Sequence, residues 1–101
     1  AVVWLRFKGY SVLEQRFKRG SGEIDIIAKR GPVLAFIEVK QRSTIALAQT
    51  AVSQRSWLRI SRTAELWVAT RPDLRTLDWR FDLIAVSASN VPKHFRDYWR
   101  P

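Results

Sequence analysis

Two short apolar runs carry carboxylates where carboxylates are costly. Asp25 sits within Glu23-Ile24-Asp25-Ile26-Ile27-Ala28, and Glu38 within Ala35-Phe36-Ile37-Glu38-Val39-Lys40. Runs this rich in β-branched and apolar side chains read as core strands. A strand interior seldom keeps a carboxylate that lacks a partner or a ligand. The turn signal Arg30-Gly31-Pro32 lies between the runs, so they are expected to form an antiparallel hairpin. Strand parity puts Glu38 and Lys40 on one face, and Glu23 with Asp25 on one face. If the register sets Asp25 beside Glu38, two carboxylates and an ammonium converge. Carboxylate oxygens suit a hard divalent cation, and a neighbouring lysine sits near an attacking water or offsets charge developing on a phosphoryl group. The competing reading is an ion pair that only sets the register, although burying one seldom stabilises a fold. Glu23 beside its glycine turn reads as solvated.

The elements that must position these residues follow from periodicity. Ala1 to Lys8 reads as the end of an apolar helix stopped at Gly9. The chain opens in mid-pattern without a Met, so that helix is expected to be truncated. Tyr10 to about Lys18 is extended, and Arg19-Gly20-Ser21-Gly22 is a turn. Val33 to Val39 is apolar on both parities, the pattern of a strand covered on both faces. Residues 41 to 51 read as a loop. From Ser53, a candidate N-cap, helical spacing sets Trp57, Ile60, Ala64, Trp67 and Val68 on one face and Arg55, Arg59 and Arg62 on another. Pro72 falls past its end. Asp78 to Ser87 forms a fourth strand, and the tail from Val91 to Pro101 has no clear pattern. Residues 1–101 thus form one α/β domain of order αβββαβ.

Composition narrows the partners. Eighteen Lys and Arg against nine Asp and Glu give a formal charge of +9, and the sequence pI is near 11.1. A basic domain of this size commonly meets nucleic acid. With no cysteine and one histidine, Cys-based zinc sites, disulfide frameworks and His-rich metal clusters are excluded. No window reaches the roughly 20 apolar residues of a membrane helix, and a reduced cytoplasmic setting is the default expectation. The arginine stripe reads equally as a phosphate contact and as a solvated face. Arg80 and Asp82 share parity and read as a structural pair. His94 has no evident acidic partner, so a catalytic role is not expected. Trp57 and Trp67 read as core, while Trp4 and Trp99 read as stacking or oligomer contacts.

Gly22-Glu23-Ile24-Asp25-Ile26-Ile27-Ala28, Phe36-Ile37-Glu38-Val39-Lys40-Gln41-Arg42 and Arg80-Phe81-Asp82 together resemble the YraN family of bacterial endonuclease-like proteins. The resemblance spans nearly the whole chain. It implies the PD-(D/E)xK superfamily, which includes archaeal Holliday junction resolvases, and hence a restriction-endonuclease-like core with a mixed sheet flanked by helices. It further implies Asp25 and Glu38 as ligands of Mg²⁺ or Mn²⁺, with the Val39 carbonyl as an additional ligand and Lys40 as the catalytic lysine. The implied activity is hydrolysis of DNA, branched or junction DNA included, with DNA ahead of RNA and a two-fold homodimer as the assembly. Gln41 and Arg42 fall where such nucleases carry polar residues. Ile24 stands in place of the motif's proline, which is not a ligand. No acidic residue precedes Glu14, so the glutamate that resolvase-like members carry on their first helix is expected to fall in the truncated part of that helix; a natural chain lacking it would hold the metal more weakly. The alternative is a non-catalytic nucleic-acid-binding or assembly module on the same fold; the residues by themselves do not separate DNA from RNA.

Overall fold

Glycines mark the first reversals of the chain in the computed structural model, which describes residues 1–88 and 90–101. Helix α1 (Val2–Phe7) ends at Gly9, whose φ of +87° is a left-handed conformation that glycine adopts without steric cost. Three strands then meander, β1 (Ser11–Arg19), β2 (Gly22–Arg30) and β3 (Val33–Gln41). After α2 (Ile45–Gln49), α3 (Gln54–Ala69) and a single 3-10 turn (Pro72–Leu74) come β4 (Asp78–Ser87) and β5 (Asn90–Trp99). The sheet order is β1-β2-β3-β4-β5; only β3 and β4 run parallel, with α2 and α3 in the crossover between them. The expected α/β fold, a mixed sheet flanked by helices in restriction-endonuclease-like order, is present.

Two segments differ from expectation. The stretch read as a loop contains α2, nucleated by Thr44, whose hydroxyl accepts the Leu47 N–H at 3.1 Å. A five-residue helix is too short to show a period. The unassigned tail is an edge strand. Its alternation is scrambled by a bulge between the rungs Phe81↔Trp99 and Leu83↔Phe95, and Pro92 is tolerated at an edge.

Each sheet face buries its own core. On the α3 face Phe17, Ile24, Ile27, Leu34, Phe36 and Leu83 meet Trp57, Ile60, Ala64, Trp67 and Val68. Ser53 caps that helix by accepting the Ser56 N–H at 3.1 Å. Phe36 is fully buried, with ring centroids 5.4 Å from Trp79, 5.5 Å from Phe81 and 6.4 Å from Trp67. Truncating such a residue to alanine typically costs about 3–5 kcal/mol. On the α1 face Leu5 and Tyr10 cover Ile26, Ala28, Ala35, Ile37 and Ile84. Trp99 stacks on Trp57 with planes 9° apart, and Trp4 lies near His94, so both serve intramolecular packing. Among the described residues no helix is long and apolar enough to cross a membrane.

Candidate active site

The β2–β3 ladder runs from Arg30↔Val33 to Ile26↔Ile37 and then opens. Continued by one rung it would set Asp25 opposite Glu38. Instead the Asp25 carboxylate enters the seam, where Oδ2 accepts the Val39 N–H at 2.8 Å. A side chain thus stands in for a backbone acceptor at the point where the strands part. The break is visible in packing: Ile24 joins the α3-side core and Ile26 the α1-side core, although both have the same parity. On β1 the facing residue is Arg16, between the rungs Gln15↔Ile26 and Phe17↔Ile24, and its φ is +53°. A left-handed conformation costs a residue other than glycine about 1–2 kcal/mol.

This kink corrects the parity argument. Asp25 lines a cavity of about 330 Å³ on the α1 face with Gln15, Arg16, Ile26 and Val39. Glu23 and Glu38 line a cavity of about 200 Å³ on the α3 face with Ser56, Arg59 and Ile60. Glu23 and Asp25 therefore do not share a face. The Asp25 and Glu38 carboxyls nevertheless lie close enough across the seam for Asp25 to favour the protonated form of Glu38. Burial first, then the neighbouring Asp25 carboxyl, push the half-buried Glu38 carboxyl up to about 8, with Lys40 opposing and exposed Glu23 adding. Asp25, Glu38 and Lys40 are thus brought together. Among the described residues no third carboxylate or imidazole joins them to make a three-residue ligand group.

The donor set suits a small hard cation. Two carboxyls meet at one point with only Lys40 to offset them, and magnesium is commonly held by one or two carboxylates with water and substrate phosphate completing the shell. The site also lies toward the carboxyl end of β3, the strand parallel to β4, where open α/β sheets bind ligands.

Beyond it, Arg55, Arg59 and Arg62 line a groove of about 410 Å³ with Gly20, Ser21 and Leu58. Arg59 belongs to both cavities on this face, and its Nε donates to the Ser21 carbonyl at 3.1 Å. All three arginines are exposed, and among the described residues none has an ion-pair partner. Sequence reading missed Thr63. Fully buried, it donates to the Arg59 carbonyl at 2.9 Å and shares a 2.7 Å hydrogen bond with Ser21, clamping the β1–β2 turn to α3. Gly22 fits under that clamp, since a Cβ there would come 3.3 Å from the Thr63 hydroxyl. Gln41 and Arg42 are exposed at the end of β3, where Arg42 donates to the Gln41 carbonyl.

Arg-Phe-Asp belongs to a separate polar cluster. Arg80 pairs with Asp82 through two 2.8 Å hydrogen bonds, as expected, and also donates to the Tyr10 hydroxyl. Asp82 further accepts the Asp97 N–H at 2.9 Å and meets His94 Nε2 at 2.7 Å. His94 therefore has the acidic partner that the sequence did not reveal. Its Nδ1 lies 2.8 Å from the Lys8 ammonium. Lysine only donates, so Nδ1 accepts and Nε2–H donates to Asp82. Although burial opposes it, hydrogen bonds from His94, Arg80 and the Asp97 backbone hold the Asp82 carboxyl below its ordinary value. Burial, then Arg96 and Arg30, hold Lys8 below its own.

Comparison with known proteins identifies the family. The profile of "Uncharacterised protein family UPF0102" matches residues 1–86. A UPF0102 protein of Bartonella quintana is 48% identical over 94 residues, covering 93% of this chain and 77% of the relative. One from Maricaulis maris is 44% identical over 101 residues, covering all of this chain and 80% of the relative. A third, from Paramagnetospirillum magneticum, is 39% identical across 99% of this chain and 81% of its own length.

Proposed function

The chain belongs to UPF0102, the YraN family, and on that premise we propose that it is a metal-dependent nuclease hydrolysing phosphodiester bonds in DNA. The observation that carries the reading is the Asp25–Glu38 carboxylate pair at the open seam of β2 and β3, with Lys40 beside it and an arginine groove leading away. A module that only bound nucleic acid would gain nothing from carboxylates that repel phosphate.

Asp25 and Glu38, with the Val39 carbonyl, would hold Mg²⁺ or Mn²⁺; when bound, such an ion lowers the pKa of a water and offsets phosphoryl charge. Lys40 contributes a fixed positive charge facing the negative charge that builds on the phosphoryl oxygens. Arg55, Arg59 and Arg62 neutralise phosphates along the groove, with Gln41 and Arg42 at the strand end extending the polar track. Held against Ser21, Arg59 loses less freedom on binding than a free arginine does.

The test is cleavage of linear, flapped and four-way DNA with Mg²⁺, Mn²⁺ or chelator. Asp25→Asn, Glu38→Gln and Lys40→Ala should each lower the rate by orders of magnitude without adding, because the groups act as one unit. Binding in chelator should hold or rise for the two carboxylate variants. Tight binding by the wild type with no metal-dependent cleavage would support the non-catalytic module instead.

A further inference from the structure

We propose that Arg16 is a phosphate-binding residue of this site, gripping the nucleic-acid backbone from the α1 face while the α3 arginines grip it from the other. The inference rests on the nuclease reading and deepens it. It starts from the backbone. Among the described residues Arg16 is one of two other than glycine with positive φ, the other being Asp97. Asp97 has a visible reason for its conformation, since its N–H donates to buried Asp82. Arg16 has no such reason within the chain: among the described residues its guanidinium makes no hydrogen bond, ion pair or ring contact. An L side chain held in an unfavourable backbone conformation, with nothing inside the fold to hold it there, is commonly found where a ligand is handled.

Position supplies the second argument. Arg16 lies opposite Asp25, between the rungs Gln15↔Ile26 and Phe17↔Ile24, and it lines the same α1-side cavity as Asp25. Glu38 opens to the α3-side cavity, which Arg59 also lines. The seam is thus reached from both sides of the sheet, with an arginine at each approach. A polyanion laid across this end of the sheet would place successive phosphates against cations on both faces. Arginine suits the task, because its planar fork matches phosphate oxygens and remains charged beside a carboxylate. Gln15, also exposed in that cavity, adds an uncharged donor.

Strain and binding can be tested separately, since asparagine tolerates positive φ and lacks the charge. Full chains carrying Arg16→Asn, Arg16→Lys or no change would be titrated against a labelled four-way DNA in chelator over a range of salt. Cleavage with Mg²⁺ and thermal midpoint would be read in parallel. Arg16→Asn should bind several-fold more weakly, with a log–log salt slope shallower by about 0.9, the loss of one phosphate contact. Its midpoint should equal or exceed that of the wild type. Arg16→Lys should keep the slope. Wild-type binding that Arg16→Asn leaves unchanged in affinity and slope would overturn the role of Arg16 while leaving the nuclease reading standing. A lower midpoint for Arg16→Asn would make the arginine structural and overturn it likewise. A wild type that neither binds nor cleaves would overturn both.

Discussion

Asp82 and Glu38 are acidic residues on adjacent parallel strands of one sheet, and their surroundings are opposite. Asp82 is wholly buried, yet Arg80, His94 and the Asp97 N–H supply its oxygens with donors, and its carboxyl is held below the ordinary range. Glu38 is only half-buried, yet burial and the neighbouring Asp25 carboxyl push it up to about 8. Depth does not explain the difference; partners do. A buried charge with every lone pair satisfied is part of the scaffold. A pair of carboxylates left short of a cation is a cost that the fold carries, and such a cost is expected where function needs it.

The contrast breaks most readily at Asp82. Replacing it with asparagine leaves Arg80 and His94 facing a neutral amide in a closed environment, and removing one partner of a buried charge network typically costs about 3–5 kcal/mol. Denaturant unfolding should show a loss of that size for Asp82→Asn and none for Asp25→Asn or Glu38→Gln. Equal destabilisation at both places would erase the distinction and make the candidate site structural.

The pH dependence of stability sharpens it next, because the two shifts have opposite signs. Asp82 has a depressed folded pKa, so its contribution is complete above the unfolded value near 3.8 and is lost as pH falls below that. Glu38 has a raised folded pKa, so the folded state holds a proton that the unfolded state has released. Its effect on stability therefore declines as pH rises from about 4.5 to about 8 and stays unfavourable above. Thermal midpoints measured across that window should fall with pH in the wild type and fall less in Glu38→Gln, which should exceed the wild type by a few degrees on the alkaline side. Parallel profiles for the two proteins would contradict a Glu38 carboxyl raised by burial and by Asp25.

The smallest effect concerns the outer end of the buried cluster. Lys8→Met keeps a long aliphatic stem and removes one partly buried hydrogen bond to His94, a loss of about 1 kcal/mol. Cleavage should not change, because Lys8 belongs to the Asp82 cluster and not to the seam. A Lys8→Met protein that folds as well as the wild type and cleaves more slowly would join the two regions functionally.

Local pattern carried much of this in advance. The β2–β3 hairpin, the apolar face of α3 and the Arg80–Asp82 pair all follow from period, turn signals and short separations. A strand's period of 2 and a helix's of 3.6 are properties of neighbouring residues, so they survive in the sequence. What only the tertiary structure decided lies in contacts between distant parts of the chain and in departures from period. His94 met Asp82 because β5 returns along β4, and Lys8 met His94 across 86 residues. The clamp of Ser21 on Thr63 spans 42. The kink at Arg16 and Asp25 reversed a face that parity had assigned, because two paired strands broke alternation together and kept their register. Nothing local announces such a kink. At Asp25 the carboxylate accepts a backbone N–H on β3, a partner that is present only once the hairpin has closed.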